Sequence, residues 1–209
     1  MKTLTALSVL FVAAGMTVPA AAQDGSPSDS AAREALDGYG KCVAERNGSE
    51  ARRVLTQDFR SATYRTGLKL LSQAAERDCA ERVGRANVMR SANLLFAGAV
   101  AENLLETDAE PLNVRLIRAS ENEAQAFAPT DAVAQCLARS MPDQVAILFG
   151  TRPGSPEETT AIAPLTAAVA PCSDAAKVGS RVEVSASAMR AMIATAALRL
   201  IEGSGDTDA

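Results

Sequence analysis

Apolar residues recur at helical spacing along most of the chain, and strictly alternating segments are rare. Leu68, Leu71 and Ala75 are typical, because residues three and four positions apart share one face of a helix. The pattern therefore predicts an all-α protein. In chain order, the predicted helices cover 31–46, 49–57, 66–77, 92–106, a segment capped by Thr130 or Asp131 that ends near Ser140, a short segment from Pro142, a segment capped by Ser155 that ends before Pro171, and 188–202.

Two of these segments, 92–106 and 188–202, are apolar around nearly their whole circumference. Helices of that kind are normally buried, so we expect this pair at the centre of the fold, packed on each other through their alanines. The alternative is that they line an apolar ligand pocket. Weak strand signals occur only at 113–118 and 181–184, and both segments are short.

The order of features in the first half of the chain recurs in the second half. Cys42 and Cys79 are 37 positions apart, Cys136 and Cys172 are 36 positions apart, and each pair is followed by one of the two apolar segments. We therefore predict two tandem pseudo-symmetric helical repeats that form one compact bundle. The first repeat, the connector and the second repeat cover 31–106, 107–129 and 130–202.

A cleavable leader is predicted at residues 1–22. Lys2 gives it a positive start, an uncharged apolar run follows, and small residues precede the expected cut after Ala22. The apolar run is shorter than the roughly 20 residues that span a bilayer, and no other segment of the chain predicts a membrane span. We expect an exported protein, periplasmic or secreted, with disordered ends at 23–30 and 203–209.

The four cysteines are expected to form disulfides, because an even number of cysteines is typical of disulfide bonding in exported proteins. They lack the close spacing of a redox motif, and they are too widely spaced for an all-thiolate zinc site. Three pairings are open. The local pairing, Cys42–Cys79 with Cys136–Cys172, is favoured because each ancestral unit could have formed its bond alone.

Composition removes several classes of function. The chain has no histidine, which is the usual general base of hydrolases and a usual zinc ligand. It has no tryptophan and few other aromatic residues, which disfavours a stacking site for single-stranded nucleic acid. A formal net charge of −4 argues against nucleic acid as a partner. No catalytic residue, metal site or cofactor is predicted, and we expect the protein not to be an enzyme.

Carboxylates are the remaining candidates for catalysis. Glu102 lies in an apolar segment, where burial would raise its pKa. Its aligned residue in the second repeat is Leu198, which favours a tolerated surface position instead. Glu157 and Glu158 are adjacent, but Ser155 with a glutamate three residues later is the pattern of a capping box.

The chain resembles a group of exported bacterial proteins with tandem helical repeats, to which no activity is assigned. The resemblance is carried by the leader, by Cys-Val-Ala-Glu-Arg at 42–46, by Pro-Gly-Ser-Pro-Glu-Glu at 153–158, by the second cysteine and by the alanine-rich closing helix. It implies a helical fold and an exported location, and it implies no substrate.

Three functions remain open. The first is a non-enzymatic protein that binds an unknown protein partner, forms a homo-oligomer or supports an envelope assembly, and it predicts an exposed apolar patch. The second is a carrier of a small apolar ligand between the closing helices, and it predicts a cavity of roughly several hundred Å³. The third and weaker hypothesis is a carboxylate-dependent cell-wall hydrolase, which needs two acids about 5–9.5 Å apart in one cleft.

Overall fold

The computed structural model describes residues 29–79, 93–121, 124–179 and 184–204, and every regular element in these ranges is a helix. The all-α prediction is confirmed. The leader predicted at 1–22 lies outside the described residues. In chain order, the described helices are α1 (Asp29–Leu55), α2 (Ala62–Asp78), α3 (Asn93–Glu106), α4 (Leu112–Ala119), α5 (Pro129–Ser140), α6 (Pro142–Phe149), α7 (Pro156–Ala175) and α8 (Ala186–Ser204).

The two most apolar helices, α3 and α8, form the centre of the fold. They pack on each other, α1 covers α3, and α5 covers α8. Gly98 of α3 lies so close to Ala191 of α8 that a Cβ on Gly98 would overlap both the Cα and the Cβ of Ala191. The small residues around this crossing are fully buried, namely Ala97, Ala101, Ala194 and Ala197. The expected packing of the closing helices through small residues is confirmed.

Helix α1 is broken at Asn47, directly after the end predicted for the first helix at 46 and before the next predicted segment, 49–57. Asn47 has φ −127° and ψ 26°, which is outside the helical region, and the helix resumes beyond it. Gly40 is buried where α1 crosses α3, and a Cβ on this residue would collide with the backbone carbonyl group of Ala99. Its cost in helix propensity is therefore offset by the close packing of α1 on α3.

Two disulfides tie helices together, one within each half of the chain. Cys42 of α1 is bonded to Cys79 beyond the end of α2, with a Cα–Cα distance of 5.9 Å. Cys136 of α5 is bonded to Cys172 of α7, with a Cα–Cα distance of 5.6 Å. These are the pairs of the local connectivity, and no cysteine is free. Disulfides of this kind are typical of proteins from oxidising compartments.

The segment 113–118, interpreted from sequence as a weak strand, is part of helix α4. Leu116 and Ala119 are three positions apart and both are buried, as on one face of a helix. Val114 and Ile117 lie on the other face, with 41% and 52% of their surfaces exposed. The apparent alternation arises because the apolar residues occupy two opposite faces of a short helix.

The predicted start of α5 is wrong by two or three residues. Its N-cap is Ala128, and Pro129 occupies the first turn. Asp131 lies inside the helix, and its carboxylate accepts a hydrogen bond from the backbone N–H of Phe127 at 3.0 Å. Asp131, which the sequence predicted as a cap, thus lies within the first turn of α5 and fixes the preceding loop by this hydrogen bond.

The predicted end of α7 is also wrong, because the helix continues through Pro171 to Ala175. A proline inside a helix removes one hydrogen bond to the carbonyl four residues earlier. That carbonyl belongs to Ala167, and both Ala167 and Pro171 are exposed. Water can therefore supply the missing hydrogen bond.

The described ends of the chain extend further than predicted. Asp29 and Ser30, expected to be disordered, begin α1, and Ser30 contacts Gly154 in the loop before α7. Gly203, expected just beyond the last helix, lies within α8. The second weak strand signal, 181–184, lies outside the described residues apart from Val184. Within the described ranges, no helix combines the length and the apolar character needed to cross a bilayer.

Candidate functional site

Four charged side chains from α1, α3, α7 and α8 form a buried group, called here the Arg190 cluster, which consists of Arg33, Glu102, Glu158 and Arg190. The guanidinium of Arg190 donates to Glu102 from Nε at 2.8 Å and from Nη2, and to Glu158 from Nη1 at 3.1 Å. Arg33 donates two bonds to Glu158, at 2.7 Å and 2.6 Å. The two positive and two negative charges balance, as burial of ionised groups requires.

The loop between α6 and α7 completes the hydrogen bonding of this cluster. Thr151 accepts from Arg190 at its hydroxyl (3.1 Å) and at its backbone carbonyl (2.8 Å). The backbone N–H of Gly154 donates to Glu158 at 2.9 Å. The guanidinium of Arg190 also lies 5.9 Å from the ring centroid of Phe149. All five N–H donors of Arg190 are thus used, so the cluster joins four helices and one loop and leaves no reactive group free.

The sequence located only part of this cluster. Ser155 caps α7 as predicted, since its Oγ accepts a hydrogen bond from the N–H of Glu158 at 3.2 Å. Glu102 does not occupy the surface position favoured by its alignment, because only 5% of its surface is exposed. Arg33 and Arg190 were not predicted. The available signal for Arg190 was a charged residue within an apolar helical segment.

The environment moves the pKa values of the two acids of the cluster in opposite directions. Burial raises the pKa of Glu102 to about 7, although the hydrogen bonds and charge of Arg190 oppose the shift. Burial also acts to raise the pKa of Glu158, but the bonds from Arg33 and the N–H of Gly154 together hold that pKa below its ordinary value. Glu102 is therefore the acid of the cluster that takes up a proton first as pH falls.

We expect the free energy of unfolding to decrease as pH rises from about 4.5 to about 7. In this window the folded protein holds a proton on Glu102 that the unfolded chain has released, so the stability contributed by the raised pKa is lost as pH approaches 7. No histidine titrates in the same window. Urea unfolding at a series of pH values should show a flatter profile for Glu102→Gln.

Two further variants separate the contributions to this pH profile. Glu158→Gln should leave the slope above pH 4.5 intact, because a lowered pKa changes stability only at lower pH. Glu106→Gln should remove a smaller part of the slope, because desolvation and the charge of Asp37 also raise the pKa of Glu106, whose side chain is exposed. An unchanged slope in Glu102→Gln would contradict the assignment to Glu102.

A separate cavity of about 280 Å³ lies between α2, α3, α5 and α8, and is called here the interhelical cavity. It is roughly twice the size of a cavity of about 150 Å³ that binds benzene. Exposed residues form its mouth, namely Arg65, Asn93 and Thr130. Half-buried apolar side chains form its walls, namely Phe59, Leu94 and Met192.

An ion pair closes part of the floor of the interhelical cavity. The guanidinium of Arg199 donates to the carboxylate of Asp131, and both side chains are almost completely buried. The same guanidinium lies 5.8 Å and 5.7 Å from the ring centroids of Phe59 and Phe127. These two rings meet edge to face with their centroids 6.1 Å apart. The charge of Arg199 is therefore neutralised and shielded by aromatic rings.

A buried polar side chain also lines the interhelical cavity. Tyr64 lines the cavity and only 7% of its surface is exposed. Burial raises the pKa of its hydroxyl to about 12, so the group stays protonated at neutral pH. Among the described residues the hydroxyl has no hydrogen-bond partner, and it is not among the unpaired polar atoms sealed from solvent. Buried tyrosine hydroxyls usually have a partner, and a ligand oxygen would provide one.

Arginines engage the carboxylates of both the interhelical cavity and the Arg190 cluster. Asp131 is the one carboxylate among the described lining residues of the cavity, and Arg199 occupies it. In the Arg190 cluster both carboxylates are held by arginines. No group of three or more metal-ligating side chains occurs within the described ranges.

Comparisons of the chain with protein-family models, with curated proteins and with solved structures found no match. Any inference about the function of this chain therefore rests on the geometry of its own cavities and surfaces.

Proposed function

We propose that the protein binds and carries a small apolar ligand in the interhelical cavity. The observation that carries this proposal is a cavity of about 280 Å³ with apolar walls. Leu94 belongs to α3 and Met192 to α8, so the cavity lies against both closing helices. Of the three functions considered from the sequence, the carrier of an apolar ligand is the one that this geometry supports best.

We also propose that the two halves of the chain are copies of one helical unit. Ser61 and Ser155 are 94 positions apart, and each Oγ accepts a hydrogen bond from the backbone N–H three residues later, at 3.0 Å and 3.2 Å. The non-helical residues Asn47 and Met141 show the same spacing, with φ of −127° and −135°. Four hydrogen bonds in the loops that follow recur with this shift.

The central helices support the same proposal with a shift of 93 positions. From Asn93 in α3 and Ala186 in α8, exposed, half-buried and buried residues follow in the same order for thirteen positions. This register pairs Gly98 with Ala191, the two residues at the closest approach of the helices. A pseudo-twofold axis would pass between them. An experimental structure in which the two halves superpose poorly would contradict the proposal.

The repeat explains why the interhelical cavity is open. Its counterpart lies between α1, α3 and α8, where the Arg190 cluster leaves only about 50 Å³. In the proposed alignment of the two halves, Tyr64 occupies the position of Glu158, Thr195 that of Glu102, and Ala97 that of Arg190. The interhelical cavity is thus open because it lacks the long charged side chains that fill its symmetric counterpart.

We propose that the protein is exported and that its leader is removed after Ala22. The two disulfides support an oxidising compartment, and the sequence of residues 1–22 has the pattern of a cleavable leader. Intact-mass measurement of the protein recovered from its producing cells tests this, with Gln23 as the expected first residue. A mass that includes Met1 and residues 2–22 would contradict it.

Binding of the neutral fluorescent probe 1-naphthylamine, whose eleven non-hydrogen atoms suit the volume of the cavity, tests the proposed function. We expect saturable binding to the full chain and at least an approximately tenfold loss of affinity in Met192→Trp. The indole would occupy the wall of the cavity and remove much of its volume, so the probe would lose its apolar contacts.

Leu70→Trp is the matched control for this experiment. Leu70 lies on α2 with 58% of its surface exposed, and it does not line the cavity. The Leu70→Trp variant should bind the probe as the wild type does. Circular dichroism should show that Leu70→Trp and Met192→Trp are both folded. A second filling variant, Leu94→Trp, should behave like Met192→Trp. Equal affinity in all four proteins would contradict binding in the interhelical cavity.

Protein interaction is the second candidate function, and one surface favours it. Val114 and Ile117 on α4 and Ile147 on α6 are exposed, by 41%, 52% and 52%, on two helices that pack together. Adjacent exposed apolar side chains are typical of interaction surfaces. Sedimentation over a range of concentrations tests self-association through this surface, with Ile117→Ser as the disrupting variant. Identical sedimentation of the wild type and Ile117→Ser would contradict it.

A further inference from the structure

The charges that line the interhelical cavity do not balance. Among the described lining residues, Arg65 and Arg199 are positive and Asp131 is negative. Asp131 and Arg199 neutralise each other in the floor. Arg65 remains at the mouth, where its guanidinium makes a hydrogen bond of 2.6 Å with the neutral backbone carbonyl of Arg60. The mouth therefore carries one positive charge that the lining does not compensate.

We infer that the ligand of the interhelical cavity is a small amphipathic monocarboxylate, with its carboxylate near Arg65 and its apolar body between Phe59, Leu94 and Met192. This inference rests on the proposed function, because it names the ligand class of the same cavity. An arginine at an open mouth attracts and holds a carboxylate while leaving that carboxylate partly hydrated. The apolar body then gains most from burial against the walls.

The hydroxyl of Tyr64, which has no hydrogen-bond partner among the described residues, supports a ligand that contains an acceptor oxygen. A protonated phenol in a largely apolar site donates a hydrogen bond, and a carboxylate oxygen is a strong acceptor. A pure hydrocarbon would fill the walls and leave this donor without a partner. The combination of one cation, one free donor and apolar walls thus matches a molecule with one anionic end.

The volume of the cavity limits the size of this molecule. A cavity of about 150 Å³ holds benzene, which has six non-hydrogen atoms, so about 280 Å³ accommodates roughly ten or eleven. Octanoate has a matching number of non-hydrogen atoms. Octanol and octylamine have nearly the same size and shape with a neutral and a cationic end, so the three compounds separate charge preference from apolar burial.

Displacement of 1-naphthylamine from the full chain by these three compounds, at low ionic strength, tests the inference. We expect octanoate to displace the probe at the lowest concentration, octanol next and octylamine last. Arg65→Gln should weaken octanoate about three- to fivefold and leave octanol unchanged, as expected for a partly exposed charge. Tyr64→Phe should weaken octanoate about five- to tenfold through the lost hydrogen bond.

Arg118→Gln is the matched control, because Arg118 is exposed, lies on α4 and does not line the cavity. It removes the same charge and should leave all three affinities unchanged. Octanol binding as well as or better than octanoate, or octanoate binding equally to the wild type and to Arg65→Gln, would overturn the monocarboxylate inference while the carrier function stands. Failure of octanoate to displace bound probe would also overturn the inference, whereas the absence of saturable probe binding to the wild type would overturn the carrier function itself.

Discussion

Arg190→Met is expected to lower the free energy of unfolding by about 3–5 kcal/mol, as for removal of one partner from a buried ion pair. Methionine keeps much of the apolar stem but leaves Glu102 without its guanidinium, while Arg33 still holds Glu158. Urea unfolding followed by circular dichroism measures the change. Because burial already raises the pKa of Glu102, the loss should be larger at pH 8 than at pH 6, where the carboxyl can take up a proton.

A double variant separates the buried charge from the loss of packing. Arg190→Met combined with Glu102→Leu should recover most of the stability, because replacing both partners of a buried pair by apolar residues is often nearly neutral. Arg53→Gln is the control, since the Arg53–Glu50 pair is exposed to solvent and should contribute little to stability. A loss below about 1 kcal/mol in Arg190→Met would show that the cluster does not hold the helices together.

Removal of the disulfide in the Cys42→Ala, Cys79→Ala double variant should cost about 3–4 kcal/mol. The bond closes a loop of 37 residues and so lowers the conformational entropy of the unfolded chain, which corresponds to a free energy of this size. The Cys136→Ala, Cys172→Ala variant should lose a similar amount, because its loop of 36 residues is almost the same length. Guanidinium unfolding of both variants beside the oxidised wild type measures the two costs.

The pairing itself is tested by peptide mapping without reduction. Peptides that contain Cys42 and Cys79, and peptides that contain Cys136 and Cys172, should be recovered as the linked pairs. A linked Cys42–Cys136 peptide would contradict the connectivity. Unchanged stability in both double variants would contradict the expected stabilising role of the bonds.

Features that depend on neighbours in the sequence could be predicted. The helical periodicity, the cap at Ser155 and the burial of the two most apolar segments each follow from residues within a few turns of one another. The short helix α4 was misread because eight residues contain too few turns to distinguish a two-sided apolar helix from a strand.

Features that depend on distant residues could not be predicted. Glu102 and Arg190 are 88 positions apart, and Arg33 and Glu158 are 125 positions apart, so no local pattern joins them. The alignment also set Glu102 against Leu198, whereas the burial pattern favours Thr195 as its counterpart. The interhelical cavity was invisible because it depends on the sizes of side chains from four different helices.

A crystal of the full chain grown with bromobenzene tests the central claim, that the interhelical cavity holds a small apolar ligand, most directly. A smaller apolar cavity, of about 150 Å³, binds benzene, and bromobenzene is one atom larger. The account predicts an anomalous bromine signal between Leu94 and Met192 in the wild type and none there in Met192→Trp. A wild-type crystal in which the protein's own side chains fill this space, with no bromine between Leu94 and Met192, would contradict it.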